Sequence, residues 1–329
     1  MSEAFPAIVI EEVDGRQAAA SRSLTLRELP DKDVLVEVSY SSLNYKDGLA
    51  VMGRKIARRL PMIAGIDIAG TVVESRSPDW AAGDRVVVNG WGMSETEQGG
   101  YTRYQRVDAG WLVRLPDTFS LEQAAAIGTA GYTAALCVDA LVDSGTPRDG
   151  RDVLVTGAAG GVGSVAVALL AAAGFSVTAS TGRDELHPYL EKLGATSFVA
   201  RAELQEKGAP LQKERWAAAV DTVGSVTLAN VLSQVAYGGA VAACGLAGGA
   251  DLPGTVLPHI LRGVALLGVD SVMAPANKRA RAWERLARDL DAGLLESMTS
   301  VEPMSRLAEL APQIIAGQTR GRVVIDVMR

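Results

Sequence analysis

Cysteine and histidine are scarce in this 329-residue chain, which holds two of each: Cys137, Cys244, His187 and His259. A structural zinc site takes four such ligands, and none of these stand at C-x-x-C or H-E-x-x-H spacing, so structural zinc is excluded. Catalytic zinc, which takes about three converging protein ligands, is disfavoured by the same wide separation. Both cysteines lie in apolar stretches, AALCVDALV and VAACGLA, the setting of small buried thiols rather than of a disulfide framework. Runs of five or more basic residues are also missing, and 32 Lys and Arg against 38 Asp and Glu leave a net charge of −6. Nucleic acid is therefore not an expected partner. The opening MSEAFPAIVIEEVDG has no basic leader followed by an apolar run and a small-residue cleavage site. The longest apolar stretches contain glycine and stop short of a bilayer span, so the expectation is a cytoplasmic protein with no membrane segment.

What the chain does have is glycine, 35 residues of it, in a composition that is 48% apolar and 21% charged. Those fractions suit an ordinary globule with a sizeable core, and the length exceeds what one core usually serves, so two domains are expected. The first third carries short β-branched runs, AIVIEEV, DVLVEVSYSSLN, AGTVVES and DRVVVNG, separated by turn material such as EVDG and LPDKD. It reads as a β-rich, barrel-like or sandwich-like domain. From Ser120 the pattern changes to the helical LEQAAAIGTAGYTAALCVDALVDSG, closed by Gly145 before Pro147. Strands DVLVTG, GFSVTAS, SFVA, WAAAVDTVG, GGAVAACG and GVALLGVD then alternate with helix candidates at 162–173, 184–193, 202–212 and 225–235. This βαβ alternation predicts a doubly wound parallel sheet. Helix candidates at 277–292 and 304–316 precede the closing strand GRVVIDV, which is expected to return to the first domain. No internal repeat of fixed period is visible.

The strongest chemical signal is the run Asp152-Val-Leu-Val-Thr156-Gly157-Ala-Ala-Gly160-Gly161-Val162-Gly163, an apolar strand that enters closely spaced glycines and then an Ala-rich helix. Glycines at such a turn remove Cβ atoms where backbone approaches a pyrophosphate, and the free amides of the helix favour its charge. The G-x-x-G-G-x-G spacing departs from the G-x-G-x-x-G fingerprint, and a purely structural glycine turn would read the same. The second strand ends in Val177-Thr178-Ala179-Ser180, where an NAD site would place a carboxylate for the ribose hydroxyls. Ser180 and Arg183 instead suit a 2′-phosphate, so NADPH is favoured over NADH. Arg201, after the next strand, either reaches the same phosphate or faces solvent. Gly224, Gly245 and Leu246 fall at later strand ends, either lining the nicotinamide half of the site or merely ending strands.

Five ordered motifs carry a resemblance: Asn44-Tyr45-Lys46-Asp47, PMIAGIDIAG at 61–70, Gly83-Asp84-Arg85-Val86, GTAGYTA at 128–134, and the nucleotide turn. From end to end the chain resembles the zinc-independent, quinone oxidoreductase-like branch of the medium-chain dehydrogenase/reductase superfamily. The forms SLNYKD, PMIAGIDIAGTV, GTAGYTAAL and GQTRGRVVIDV are most similar to the acryloyl-CoA reductase subgroup, whose members reduce an acryloyl thioester to propanoyl-CoA with NADPH. The resemblance implies an α/β architecture in which a β-rich, GroES-like catalytic domain (1–126 and 270–329) is split by an NADPH-binding Rossmann domain (127–269), with the active site in their cleft. Zinc members carry a ligating Cys in the loop that here reads Ser41-Ser42-Leu43-Asn44, and a His-Glu pair where this chain has Gly65-Ile66-Asp67, so the metal pattern is not kept.

By the same resemblance Asn44, Tyr45 and Asp47 are the catalytic candidates, with Tyr45 facing substrate or cofactor and relaying a proton. The bland alternatives are that Asn44 caps a helix, Asp47 pairs with Lys46 or Arg54, and Tyr45 is an interface aromatic. Cofactor contacts are implied at Tyr45, Thr133, Gly157, Ala159, Gly160, Gly161, Val162, Gly163, Ser180, Thr181, Gly182, Arg183, Arg201, Gly224, Gly245, Leu246, Ser271, Asn277 and Arg320. Ser271 is read as ending the last strand of the sheet, Asn277 as a helix cap, and Arg320 and Arg322 as flanking the closing strand; capping and surface solvation account for these equally. The basic run Arg54, Lys55, Arg58, Arg59 is either a landing patch for CoA, with Arg54 and Arg58 binding substrate, or a solvated helix face. A homodimer is expected, joined at an exposed edge strand such as GGAVAACG or GVALLGV. The rival readings are a reductase of quinones or other α,β-unsaturated carbonyls, and a nucleotide sensor without turnover.

Overall fold

The computed structural model describes residues 4–329. It begins with a hairpin of β1 (Phe5–Val13) and β2 (Arg16–Leu24), joined at Asp14-Gly15. Both turn residues have positive φ (51° and 73°), as a two-residue type I′ turn requires. The strand β2 escapes sequence reading because RQAAASRSL is poor in β-branched residues; its place comes from the turn and from its pairing with β1. There follow β3 (Val34–Leu43), α1 (Tyr45–Val51), β4 (Met62–Ile63), β5 (Asp67–Ser75), β6 (Arg85–Asn89), β7 (Tyr104–Val107) and β8 (Val113–Arg114). All four β runs expected in this third are present as strands.

The helix α2 (Leu121–Asp143) is interrupted at Gly128, whose φ of 49° and ψ of −162° are not helical. At 23 residues it is long and apolar enough to cross a bilayer, which corrects the expectation that no stretch is, but 83% of its most apolar window is buried within the protein. Beyond it come β9 (Val153–Val155), α3 (Gly161–Ala172), β10 (Val177–Thr181), α4 (His187–Leu193), β11 (Ser197–Ala200), β12 (Trp216–Asp221), α5 (Ser225–Gln234), β13 (Val235–Ala243), α6 (Leu257–Arg262), β14 (Ala265–Gly268) and α7 (Ala276–Asp289). The six strands form one parallel sheet in the order β11-β10-β9-β12-β13-β14. That is the Rossmann order 3-2-1-4-5-6, with the first strand of the unit at its centre. Its core is apolar and small-residue rich, with Leu154, Ala219, Val231 and Val241 fully or nearly fully buried.

Three expectations change here. The helix read at 202–212 is only a 3₁₀ turn, Arg201–Leu204. The carboxamide of Asn230 on α5 donates to the carbonyls of Leu204 (3.0 Å) and Glu206 (2.7 Å) and accepts from the Gly208 N–H, taking the groups a helix would pair internally. The strand GGAVAACG is not an edge, because it lies between β12 and β14; the edge is β14. Ser271 does not end the last strand, which stops at Gly268, and it belongs with the other compact unit.

The chain closes with α8 (Ala292–Ser297), β15 (Thr299–Pro303), α9 (Leu307–Ile315) and β16 (Arg322–Asp326). As expected, the last strand returns: β16 runs antiparallel to β3, with Val323 opposite Leu43 and Asp326 opposite Tyr40. The resulting sheet has the order β15-β16-β3-β5-β6-β8, with β7 beside the first half of β3. Its buried face gathers Val36, Val38, Leu43, Ile68, Val86, Val88, Val323 and Ile325.

Two compact units result. One holds the chain up to Thr129 with Ser271–Ala276 and Leu295–Arg329; the other holds Ala130–Asp270 with Asn277–Leu294. Against the division read at residue 270, the stretch 277–294 groups with the Rossmann unit. Arg285 Nε donates to Asp139 at 2.6 Å with both side chains nearly buried, Arg281 forks onto Asp143 at 2.6 and 2.7 Å, which ties α7 to α2, and the same helix buries Ala282, Trp283 and Leu286.

Candidate active site

In the Rossmann unit the nucleotide turn is built by hydrogen bonds between adjacent strand ends. Thr156, just past β9, donates through Oγ1 to Asp221 (2.7 Å) and accepts there from the Thr222 N–H (3.0 Å), while Thr222 Oγ1 donates to the Thr156 carbonyl (2.9 Å). Asp221 is fully buried, which pushes its carboxyl above the usual range, and its other oxygen accepts from the Gly224 N–H at 2.7 Å. It braces the turns after β9 and β12.

Gly157 has φ 59°, and a Cβ on Gly163 would overlap the Gly157 carbonyl and approach Ala158 Cα at 2.6 Å. Only glycine lets α3 start this close under the turn. Gly160 is the N-cap of that 12-residue helix, and Gly161 and Val162 of its first turn remain partly exposed, with Ala159 buried beneath them. This is a cradle for an anion: free amides at a helix N-terminus and no side chains in the way.

At the end of β10, Ser180 and Thr181 are buried, the Ser180 carbonyl accepts from Ala158 N–H (3.1 Å), and Thr181 Oγ1 accepts from Arg183 N–H (3.2 Å). A Cβ on Gly182 would stand 2.7–2.8 Å from the guanidinium of Arg201. Arg201 is exposed, and its guanidinium lies over Gly182, alongside the loop that carries Arg183. Gly224 (φ 79°) and Gly245 pack the turns after β12 and β13 together: a Cβ on the first would meet the Gly245 carbonyl at 3.0 Å, and one on the second would overlap Thr222. Leu246 beside them is 62% exposed. Thr133 is buried on α2, and Asn277 is the second residue of α7 rather than its cap.

In the other unit Asn44, Tyr45 and Asp47 open α1. Asn44 is its N-cap, and Asp47, three residues on, accepts from the Asn44 N–H at 2.9 Å, the reciprocal half of a capping box. The capping alternative for Asn44 thus holds, whereas Asp47 pairs with neither Lys46 nor Arg54. Lys46 binds Glu95, and the second oxygen of Asp47 accepts from the Ile66 N–H at 2.9 Å. The Asn44 amide Nδ2 donates to Asp47 (3.0 Å) and to Asp67 (2.8 Å), and its Oδ1 accepts from Arg322 Nη1 (3.2 Å). Asn44 and Asp47 are consumed by structure. Tyr45, at 38% exposed, is the member of the trio that faces outward.

Asp67 and Arg322, neither of them a catalytic candidate from the sequence, complete this cluster. Asp67, 1% exposed, accepts from Ser42 Oγ, Asn89 Nδ2 (2.7 Å), Thr129 Oγ1 (2.6 Å) and Thr129 N–H (2.9 Å) as well as from Asn44. Arg322, read as a strand-flanking arginine, is instead 2% exposed and donates through Nε to the Ala126 carbonyl at 2.6 Å. A carboxylate heading the apolar run DIAGTV and an arginine opening RVVID were the available signals: charges inside buried strands. Among the described residues no group of three or more His, Cys, Asp and Glu is placed to hold a metal ion. Arg320 is exposed, and Ser271 half-buried.

The basic run is not a helix face, because 54–60 is non-helical. Arg54 and Lys55 are exposed, but Arg58 pairs with Glu95 (2.8 Å) and Arg59 with Glu97 (3.4 Å), so its charge is partly neutralised.

A β-rich unit split by a Rossmann unit is the organisation of the medium-chain dehydrogenases and reductases. Residues 30–117 match the alcohol dehydrogenase GroES-like domain and 161–288 the zinc-binding dehydrogenase domain. The chain is 52% identical to acrylyl-CoA reductase AcuI of Ruegeria pomeroyi, over 98% of this chain and 99% of that protein. Among solved structures, the yhdH oxidoreductase of Salmonella enterica in complex with NADP is similar at 48% identity and a TM-score of 0.95, covering 98% and 99% of the two chains. Bacillus subtilis yhfP with NAD bound is similar at 41% and 0.94, covering 99% and 100%. The chain belongs to the medium-chain dehydrogenase/reductase superfamily, in its quinone oxidoreductase-like branch.

Burial first, and then the charge of Asp67, push the Asp47 carboxyl up to about 7. The unfolded chain releases that proton near pH 3.9. The folded state therefore holds a proton across about pH 4 to 7 that the unfolded state has lost. Stability from this group is complete below that window and is lost as pH rises through it, with a limiting slope of about 1.4 kcal/mol per pH unit for one proton. Urea unfolding of wild type and Asp47→Asn between pH 4 and 8 checks this: the wild type should lose more stability as pH rises, and parallel profiles would refute it.

Proposed function

We propose that this protein reduces acryloyl-CoA to propanoyl-CoA with NADPH, acting on the activated C=C without a metal. The observation that carries the reading is the 52% identity, across nearly both full lengths, to a protein named acrylyl-CoA reductase. The sites fit it. The amides opening α3, cleared of side chains by Gly157 and Gly163, receive a pyrophosphate. Arg201 over Gly182, with Arg183 and Ser180, meets a 2′-phosphate, and β10 ends without the carboxylate that would repel one. That loop favours NADPH even though one relative was solved with NAD.

Bound NADPH supplies a hydride to the β-carbon of the thioester. The chain's own residues handle the rest. Tyr45, the outward member of the α1 cap, donates its phenol proton toward the enolate oxygen that develops, or onward to the α-carbon. Asn44 and Asp47, engaged within the protein, fix the turn from which Tyr45 projects. No step passes through zinc: the oxygens of Asp67, beside the loop where zinc relatives hold their metal, are faced by N–H and O–H donors that a cation would have to displace. A quinone as substrate is the second reading, favoured by the Bacillus relative's name, putative quinone oxidoreductase. We also read the protein as a cytoplasmic homodimer. Free Cys137 and Cys244 fit a reducing compartment, and the open edge β14 with exposed Val256, Ile260 and Leu261 on and beside α6 fits a second copy.

Purified enzyme assayed with acryloyl-CoA, crotonyl-CoA and a quinone should show the highest kcat/KM on acryloyl-CoA; a higher value on the quinone would replace this reading with the second. Arg201→Ala should raise the KM for NADPH by about tenfold or more, with little change for NADH, as expected for one lost charge-assisted contact; equal effects on both would remove Arg201 from the phosphate site. Light scattering over a range of concentrations should give twice the chain mass, and a constant monomer mass would end the dimer reading.

A further inference from the structure

Three places outside the nucleotide turn draw notice: the exposed apolar face of α6, the neighbouring thiols Cys137 and Cys244, and the buried charge cluster around Asp67. The first belongs to the dimer reading proposed above. The second has a fully buried member whose thiol is pushed well up, its Cys244 contact and burial acting together, so it is poorly reactive. The third has structure that packing alone does not require.

We propose that Asp67 and Arg322 are positioning residues for the reduction, which clamp Asn44 from two sides and thereby fix the turn that presents Tyr45. The inference rests on the reading of Tyr45 given above. Asn44 is held as a carboxamide can be held most completely. Its Nδ2 donates to Asp67 at 2.8 Å and to Asp47 at 3.0 Å, its Oδ1 accepts a hydrogen bond from Arg322 Nη1 at 3.2 Å, and its backbone N–H donates to Asp47. Asp67 is in turn anchored to β6 through Asn89 and to the break in α2 through Thr129, and Arg322 to the Ala126 carbonyl just before that break.

The backbone makes room for this. Gly128 sits in the left-handed region, and a Cβ there would fall 2.5 Å from Ser42 Oγ, 2.7 Å from Arg322 Nη2 and 2.8 Å from Asp67 Oδ2. A side chain is omitted where the charged groups approach one another. Two buried carboxylates and a guanidinium are a costly way to fill a core, since apolar residues of similar volume would be as stable or more so. What they supply is direction. Tyr45 is too exposed to be fixed by its own packing, so the cap that precedes it sets where its hydroxyl goes.

The test is a double-mutant cycle of Tyr45→Phe with Arg322→Met, read as kcat and KM for acryloyl-CoA, NADPH affinity and melting temperature. Misplacement of a reacting group by about 1 Å can cost on the order of a hundredfold, so Arg322→Met should lower kcat at least tenfold with NADPH affinity unchanged. Arg322→Lys, which keeps the charge, should recover part of the loss. In the Tyr45→Phe background, Arg322→Met should reduce kcat by less than about twofold more, because both act through one hydroxyl. Should Arg322→Met fail to fold, Thr129→Val, which removes one hydrogen bond to Asp67, takes its place in the cycle with a smaller expected loss. Unchanged kcat in Arg322→Met, or a loss that multiplies undiminished onto Tyr45→Phe, overturns the inference alone. Full turnover by Tyr45→Phe overturns the Tyr45 reading and the inference with it.

Discussion

A carboxylate shut away from water has to collect every one of its donors from the protein, and the β-rich unit is organised around Asp67 doing so. The cost of leaving such a group unpaired runs to several kcal/mol, more than a domain can readily spare from a stability of about 5–15 kcal/mol. Its donors come from β3 (Ser42), the cap of α1 (Asn44), the end of β6 (Asn89) and the break in α2 (Thr129). Each element arrives by a different route through the sequence. The carboxylate is satisfied only when all are in place, so register errors in any of them are penalised at the same point.

The Rossmann unit repeats the device. Asp221 is buried where the ends of β9, β12 and β13 meet, and it ties Thr156, Gly224 and Cys244 to one residue. In both units a buried acid gathers donors from several elements and so fixes the backbone around it. This division of labour also explains the glycines. Gly128, Gly157, Gly163 and Gly245 stand where backbone passes too close to a polar group or to another turn for a Cβ to fit, so much of the excess glycine serves close approach rather than flexibility.

How much of this could be read from the sequence follows the range of the interactions. Strands and helices set by local pattern were legible, as was the nucleotide turn, where strand, glycines and helix are contiguous. The hairpin strand β2 and the false helix at 202–212 were not, because pairing with β1 and the side chain of Asn230 outweigh local propensity there. The loop motif around Asn44 was visible, but its division into two scaffold residues and one exposed tyrosine was not. That division depends on Asp67 and on Arg322, 278 positions from Asn44. Nothing local marks either residue except a charge in an apolar run, and the partner that explains it is supplied by the fold.

The pairing of β16 with β3 has a consequence for how the molecule is made. On the ribosome, residues are added at about 5–20 per second, so β3 waits roughly a quarter of a minute to a minute for the strand that completes its sheet. In that interval the Rossmann strands have all emerged, and their contacts are available to one another. Asn44 and Asp67 emerge early, whereas Arg322 follows Asn44 by 278 positions. The nascent chain can therefore form its Rossmann sheet before Arg322 reaches Asn44. During that time the unpaired edge of β3 is exposed to whatever else is being synthesised nearby.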